Sequence, residues 1–203
     1  MPGSGINLKH FIPENRVKNS KFTFLLISRL IHDKGIIEYI DAIKLLKEKG
    51  CDARFQLLGN KDEAHRRGIA EELINSWIDS NIVEYLGSTD DVRPFINQAD
   101  CVVLPSYREG TPKSLLEAAS SGKPIVATDV AGCTNIVTHN VNGLLCKVMD
   151  AKDLSEKMET MANLPNAQLE MMGKEGRKIV EARFDEKIVV ESYLNTIASL
   201  KNS

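Results

Sequence analysis

The feature that most restricts the fold is a repeated alternation. Short apolar runs, each cut off by a glycine, a proline or a polar turn, are followed by longer stretches with helical spacing. KFTFLLISRL at Lys21–Leu30 is the first run, and others lie at Arg54–Leu58, Ile82–Leu86, Cys101–Leu104, Ile125–Thr128 and, shorter, Gly143–Lys147. Strands covered on both faces read as continuous apolar runs. Between them, Ile36, Ile40, Ile43 and Leu46 mark the buried face of one helix. Leu73, Ile74, Trp77 and Ile78 mark that of a second, polar helix predicted over Asp62–Ser80. Shorter helices are predicted at Asp91–Ala99, Pro112–Ser121 and Thr134–His139, and beyond Ala151 only helices at Leu154–Met161, Gln168–Phe184 and Lys187–Leu200. Five or six strands alternating with helices imply right-handed crossovers and a doubly wound parallel α/β sheet, which binds ligands at its carboxyl edge.

At 203 residues, 42% hydrophobic and 27% charged, the chain has ordinary globular usage and room for one substantial core. A formal charge of −2 argues against a broad cationic field for nucleic acid. Cys51, Cys101, Cys133 and Cys146 show no close pairs, and Cys101 and Cys146 sit in apolar runs. Together with the lack of a signal sequence, that predicts buried thiols in a reducing, cytoplasmic setting. His10, His32, His65 and His139 lack metal-ligand spacing, so no metal site is expected. No apolar run is long enough to span a bilayer.

Chemistry concentrates in PSYREGTPKSLLEA, Pro105–Ala118, which places two carboxylates on either side of a turn into a helix. Gly110 permits positive φ, Thr111 offers an N-cap, and Pro112 suits a first helical position. Glu109 then lies beside the free N–H groups of a helix N-terminus, where anions are favoured, and Glu117 lies further along the helix. Arg29 ends the first strand and Lys34 precedes the next helix, so two cations converge at the sheet's carboxyl edge. Such a pair could hold a diphosphate and neutralise charge developing on a leaving group. Gly59 and Gly87 each follow a strand, where a ligand can approach bare backbone. Spacing alone favours solvated loop charges at Glu109, Glu117, Arg29 and Lys34, and is equally compatible with ordinary turns at the two glycines.

The whole string separates these readings. EGTPKSLLEA followed by SGKPIVATDVAGC resembles the E-x7-E segment of family 4 retaining glycosyltransferases of the GT-B fold, especially those building capsular polysaccharides or lipid-linked oligosaccharides. Arg29, Leu30, Lys34 and Gly35 match the family's R-L-x(n)-K-G segment, and GSGINLKHF at Gly3–Phe11 is similar to the junction between the two halves of such enzymes. The resemblance implies a Rossmann-like half of a GT-B fold, with residues 1–20 as interdomain lead-in and 21–203 as the donor nucleotide-sugar domain, the acceptor half being absent.

In that family Glu109 would touch hydroxyls of the donor sugar, Glu117 the ribose, and Arg29 with Lys34 the diphosphate. Backbone around Gly110, Thr111, Pro112 and Lys113 would complete the phosphate site, and the loops at Gly59 and Gly87 would flank the base. Glu109, Arg29 and Lys34 are thus the expected catalytic set, with no cofactor and no metal. The expected donor is a nucleotide-diphosphate sugar, UDP before GDP or ADP. The acceptor, a glycan or lipid-linked sugar, would be met through the missing half, at the inner face of the membrane, and the isolated half would scarcely react. Peripheral membrane association of the full enzyme stays open, as does self-association of the fragment through the apolar face of its last helix. The chain departs from the family at Ser28, Asn60–Asp62 and Asn135, where relatives often carry Gly, a second Gly and Glu. A noncatalytic nucleotide-binding module of the same fold is the alternative. A dinucleotide dehydrogenase is disfavoured because no G-x-G-x-x-G follows a strand, and nothing signals a pyridoxal-phosphate lysine.

Overall fold

The computed structural model of the chain describes residues 5–14 and 20–201. Gly3 and Ser4 of the junction motif, and residues 15–19 of the lead-in, lie outside them. The strands are β1 (Thr23–Ile27), β2 (Arg54–Leu58), β3 (Glu84–Tyr85), β4 (Cys101–Leu104), β5 (Ile125–Thr128) and β6 (Gly143–Cys146). The helices are α1 (Ile36–Glu48), α2 (Glu71–Asp79), α3 (Arg93–Gln98), α4 (Lys113–Ser120), α5 (Ala131–Thr134), α6 (Ala151–Ala162), α7 (Asn166–Arg183) and α8 (Glu186–Lys201), with a 3-10 turn at His32–Lys34. All strand pairs are parallel, in the order β3-β2-β1-β4-β5-β6. The doubly wound α/β sheet read from the sequence is therefore present. Its order reverses between β1 and β4, the place where such sheets open a crevice.

Successive residues of a strand point to opposite faces, so each apolar run feeds two cores. Phe24, Leu26, Val103 and Val126 pack with Ile36, Ile40, Ile43 and Leu46 of α1, Ile74 and Trp77 of α2, and Leu154, Met158 and Met161 of α6. Leu25, Val102, Leu104, Ile125 and Ala127 pack on the other side with Ile96 of α3, Leu115 and Leu116 of α4, and Val180 of α7. Burying each such side chain contributes about 1.5–3 kcal/mol, so truncating Leu25 or Leu26, both fully buried, would open a cavity in one layer.

Several predicted boundaries move. The third strand shrinks to Glu84–Tyr85, and residues 62–70 form turns instead of the first half of α2. Leu73, expected inside, is exposed, because α2 presents only Ile74 and Trp77 as buried residues. The helix expected at Thr134–His139 instead occupies Ala131–Thr134, since the DVAGC segment enters the helix itself. Cys101, Cys133 and Cys146 are free and buried, and Cys51 is partly exposed. Burial pushes the Cys133 and Cys146 thiols up to about 12. Among the described residues, no helix is long and apolar enough to cross a membrane.

The described part of the lead-in is held against the domain. Ile6 and Phe11 are buried, and Ile6 exchanges backbone hydrogen bonds with Phe184 and Glu186 at 2.8 and 3.0 Å. The Arg177 guanidinium donates to the carbonyls of Leu8, Phe11 and Ser120, so one α7 side chain ties the lead-in to the end of α4.

Candidate functional site

The reversal of strand order opens a cleft of about 740 Å³. Ser28 and Arg29 after β1, Lys34, Glu109 and Thr111–Ser114 after β4, and Glu117 of α4 line it. His10, Phe11 and the Thr89–Val92 turn also contribute to the lining. Five of the residues picked from the sequence as chemistry-bearing, Arg29, Lys34, Glu109, Lys113 and Glu117, are thus brought together with Thr111 and Pro112. Gly59, Gly87 and Gly110 are not among the lining residues.

Lys34 and Glu109 meet directly, Nζ to Oε1 at 2.6 Å, with side chains 24% and 9% exposed. Two glycines make that meeting possible. Gly35 has φ +69°, and a Cβ there would stand 2.1 Å from the Pro105 carbonyl oxygen, so the start of α1 and the loop after β4 touch backbone to backbone. A Cβ on Gly132, at the start of α5, would stand 2.4 Å from the Glu109 carbonyl oxygen. Gly132 was not singled out from the sequence; its signal is the small AGC segment following a buried strand. Arg29 is held less firmly: its guanidinium lies 3.4 Å from Asp62 and its side chain is 58% exposed, a pair worth little by itself. Arg29 and Lys34 therefore do not arrive as free cations; each carries a carboxylate partner.

The entry to α4 differs in detail from the sequence reading. Pro112 is the N-cap residue, not the first helical one, no side chain caps the helix, and Thr111 does not serve. Gly110 is not among the positive-φ glycines, and a Cβ on it would meet nothing within 4 Å. An uncapped start leaves donors: among the described residues, the backbone N–H groups of Gly110, Thr111, Lys113 and Ser114 have no recorded acceptor. Those of Lys113 and Ser114 belong to the partial positive end of the helix, a fitting place for an anion.

Glu117 is buried, with Lys113 one turn back at 3.5 Å and 76% exposed in its side chain. Burial raises the Glu117 carboxyl above the usual carboxylate range, opposed by the Lys113 charge and hydrogen bond. At the far wall Asp91 grips Arg93 with two oxygens at 2.7 and 2.8 Å, and these hydrogen bonds draw its carboxyl down to about 2. The close approach at Gly59 is to protein, not to open cleft: with φ +148°, a Cβ there would stand 1.8 Å from the Ser28 carbonyl oxygen. Its N–H donates to the Gly87 carbonyl at 2.8 Å, which joins the two glycine turns. Among the described residues, no group of His, Cys, Asp and Glu side chains is arranged to hold a metal ion.

Residues 9–179 match the family described as "Glycosyl transferases group 1". The N,N'-diacetylbacillosaminyl-diphospho-undecaprenol alpha-1,3-N-acetylgalactosaminyltransferase of Campylobacter jejuni is 33% identical over 94% of this chain and 51% of its own length. The chain spans about half the length of the curated relatives it matches. Among solved structures, sucrose-phosphate synthase from Thermosynechococcus elongatus superposes with a TM-score of 0.86 at 24% identity, over 98% of this chain and 51% of that one. Anabaena Alr3699/HepE, solved with UDP and glucose, superposes with a TM-score of 0.82 at 22% identity, over 96% and 55%. The likeness to these structures is one of fold. With a family match running from the lead-in into α7, the chain belongs to the group 1 glycosyl transferases.

Proposed function

We propose that this chain is the donor-binding half of a retaining glycosyltransferase, which moves a sugar from a nucleotide diphosphate, UDP first, to a growing capsular, surface or lipid-linked glycan. The observation that carries this reading is that the Lys34–Glu109 pair and the uncapped start of α4 line one cleft. A diphosphate entering there replaces Glu109 on Lys34, takes up free backbone N–H groups and gains Arg29. Glu109 is thereby released toward the sugar, and Glu117, buried one wall further in, accepts from the ribose hydroxyls. In front-face chemistry the bond from the sugar to the diphosphate breaks as the acceptor hydroxyl attacks from the same side and passes its proton to the departing phosphate oxygen, while Lys34, Arg29 and the helix terminus stabilise that diphosphate. Residues 1–20 serve as interdomain lead-in and 21–203 as the donor domain, with the acceptor met elsewhere in a longer protein. The lipid-linked acceptor follows the name of the Campylobacter relative, and UDP follows the Anabaena structure.

Calorimetry with UDP, GDP and ADP in the presence of a chelator tests the reading. UDP should bind and uridine should bind far more weakly. Silence toward all of these nucleotides at millimolar concentration would refute it.

A further inference from the structure

Tyr107 and Glu38 do not line the cleft, yet they join the two segments that carry Lys34 and Glu109 into it. The Tyr107 hydroxyl donates to Glu38 Oε1 at 2.7 Å, and the Tyr107 N–H donates to the Asp33 carbonyl at 2.9 Å. Glu38 lies four positions beyond Lys34, so both belong to the segment running from the 3-10 turn into α1. Tyr107 lies two positions before Glu109, on the loop after β4. The two segments therefore meet in a seam: Gly35 against Pro105, Asp33 and Glu38 against Tyr107, Lys34 against Glu109. The remaining oxygen of Glu38, Oε2, is buried with no partner among the described residues, so the carboxylate depends on its bond to Tyr107. Burial, and then the Glu38 hydrogen bond, raise the Tyr107 hydroxyl well above its usual range, so it stays a donor at any ordinary pH.

We propose that the Tyr107–Glu38 hydrogen bond is a positioning device that keeps the Glu109 carboxylate in register with Lys34. This inference rests on the donor-site reading. Without the bond, the loop gains freedom two residues upstream of Glu109, and the carboxylate spends less time on Lys34. The consequence has an unexpected sign. Glu109 competes with the diphosphate for Lys34, so loosening the loop frees Lys34 and tightens UDP, while Glu109 is no longer delivered where the sugar needs it.

The test uses UDP as probe and the intact chain. Tyr107→Phe strands the Glu38 carboxylate, so it is paired with the double variant Tyr107→Phe/Glu38→Gln, which removes the stranded charge. Either should bind UDP more tightly than the parent, by up to but not beyond the few-fold gain that Glu109→Gln itself gives. Glu38→Gln alone, whose amide oxygen still accepts from Tyr107, should match the parent. In a Glu109→Gln background, Tyr107→Phe/Glu38→Gln should change UDP affinity no further, because the effect runs through Glu109. Weaker or unchanged UDP binding in the double variant overturns the inference, as does an effect that adds to Glu109→Gln. A parent chain silent toward UDP, GDP and ADP overturns the donor reading, and the inference with it.

Discussion

Glu109 and Glu117 belong to one loop and helix, yet they are held in opposite ways. Glu109 sits on a counter-ion that is itself three-quarters buried, with the Gly35–Pro105 contact beside the lysine and the Gly132 contact against its own backbone. Glu117 is as deeply buried, but its cation, Lys113, reaches back from solvent at 3.5 Å. A clamped ion pair is ready for exchange: an incoming anion takes the cation and sets the carboxylate free. A buried carboxylate with a loose partner still lacks donors, which is why burial raises its pKa, and a ligand's hydroxyl groups can supply them. The two ends of the cleft should thus answer to different parts of one ligand.

Removing Lys34 tests the exchange end hardest. Lys34→Ala should weaken UDP by tenfold or more, since a charge-assisted contact contributes about 1.5–3 kcal/mol, and leave uridine nearly untouched in calorimetry. Arg29→Ala should do the same more weakly, because Arg29 is mostly solvated. Gly132→Ala should come next: its methyl would overlap the Glu109 carbonyl, costing about 1–3 kcal/mol in denaturant unfolding and displacing the loop.

Glu117→Gln should weaken UDP and uridine alike, by about tenfold. It also carries a pH signature. The folded-state pKa of Glu117 is raised, so its ionised form opposes folding above that value, and the penalty fades as pH falls through it. Glu117→Gln should therefore be more stable than the parent at neutral pH, with the gap closing in mildly acidic buffer. A gap that widens on acidification would show that Lys113 outweighs burial.

Glu109→Gln sharpens the contrast most, although its effect is small. A role limited to the sugar would leave UDP unchanged, but the ion pair at 2.6 Å predicts that UDP binds a few-fold more tightly once Lys34 is released. Opposite signs for Glu109→Gln and Glu117→Gln are the expected outcome; equal losses would dissolve the distinction. Smallest of all is Thr111→Ala, which should shift stability by under about 0.5 kcal/mol, because Thr111 caps nothing.

Much of this arrangement was legible before any coordinates. Continuous apolar runs at Phe22–Ile27 and Cys101–Leu104 can only be strands covered on both sides, and the helical spacing of Ile36, Ile40, Ile43 and Leu46 leaves one face to bury. The gathering of Arg29, Lys34, Glu109 and Glu117 followed from strand ends meeting at one edge. What could not be read were relations between distant segments. Nothing local says that Gly59 makes room for Ser28, that Gly132 makes room for Glu109, or that Tyr107 bonds to Glu38. The helix-start signals at Gly110–Pro112 placed the start of α4 to within a residue, but Gly110 does not take positive φ, Thr111 caps nothing and Pro112 is the N-cap residue instead of the first helical one. The 62–70 stretch has helical composition, but it makes local turns, and Ile69 donates to the Leu30 carbonyl while the Arg67 carbonyl accepts from His32.

The reversal of strand order has a consequence in time. β1 and β2 can pair as soon as their connecting helix forms, but Lys34 and Glu109 are 75 residues apart and meet only after β4 has docked on β1. Closing that longer loop comes with a larger entropic barrier, so it belongs to the late part of folding. A half-folded chain holding only β1, β2 and β3 would have its secondary structure and no cleft. In refolding experiments, recovery of nucleotide binding should lag behind recovery of the helical circular-dichroism signal, and the length of that lag would time the docking of β4 on β1.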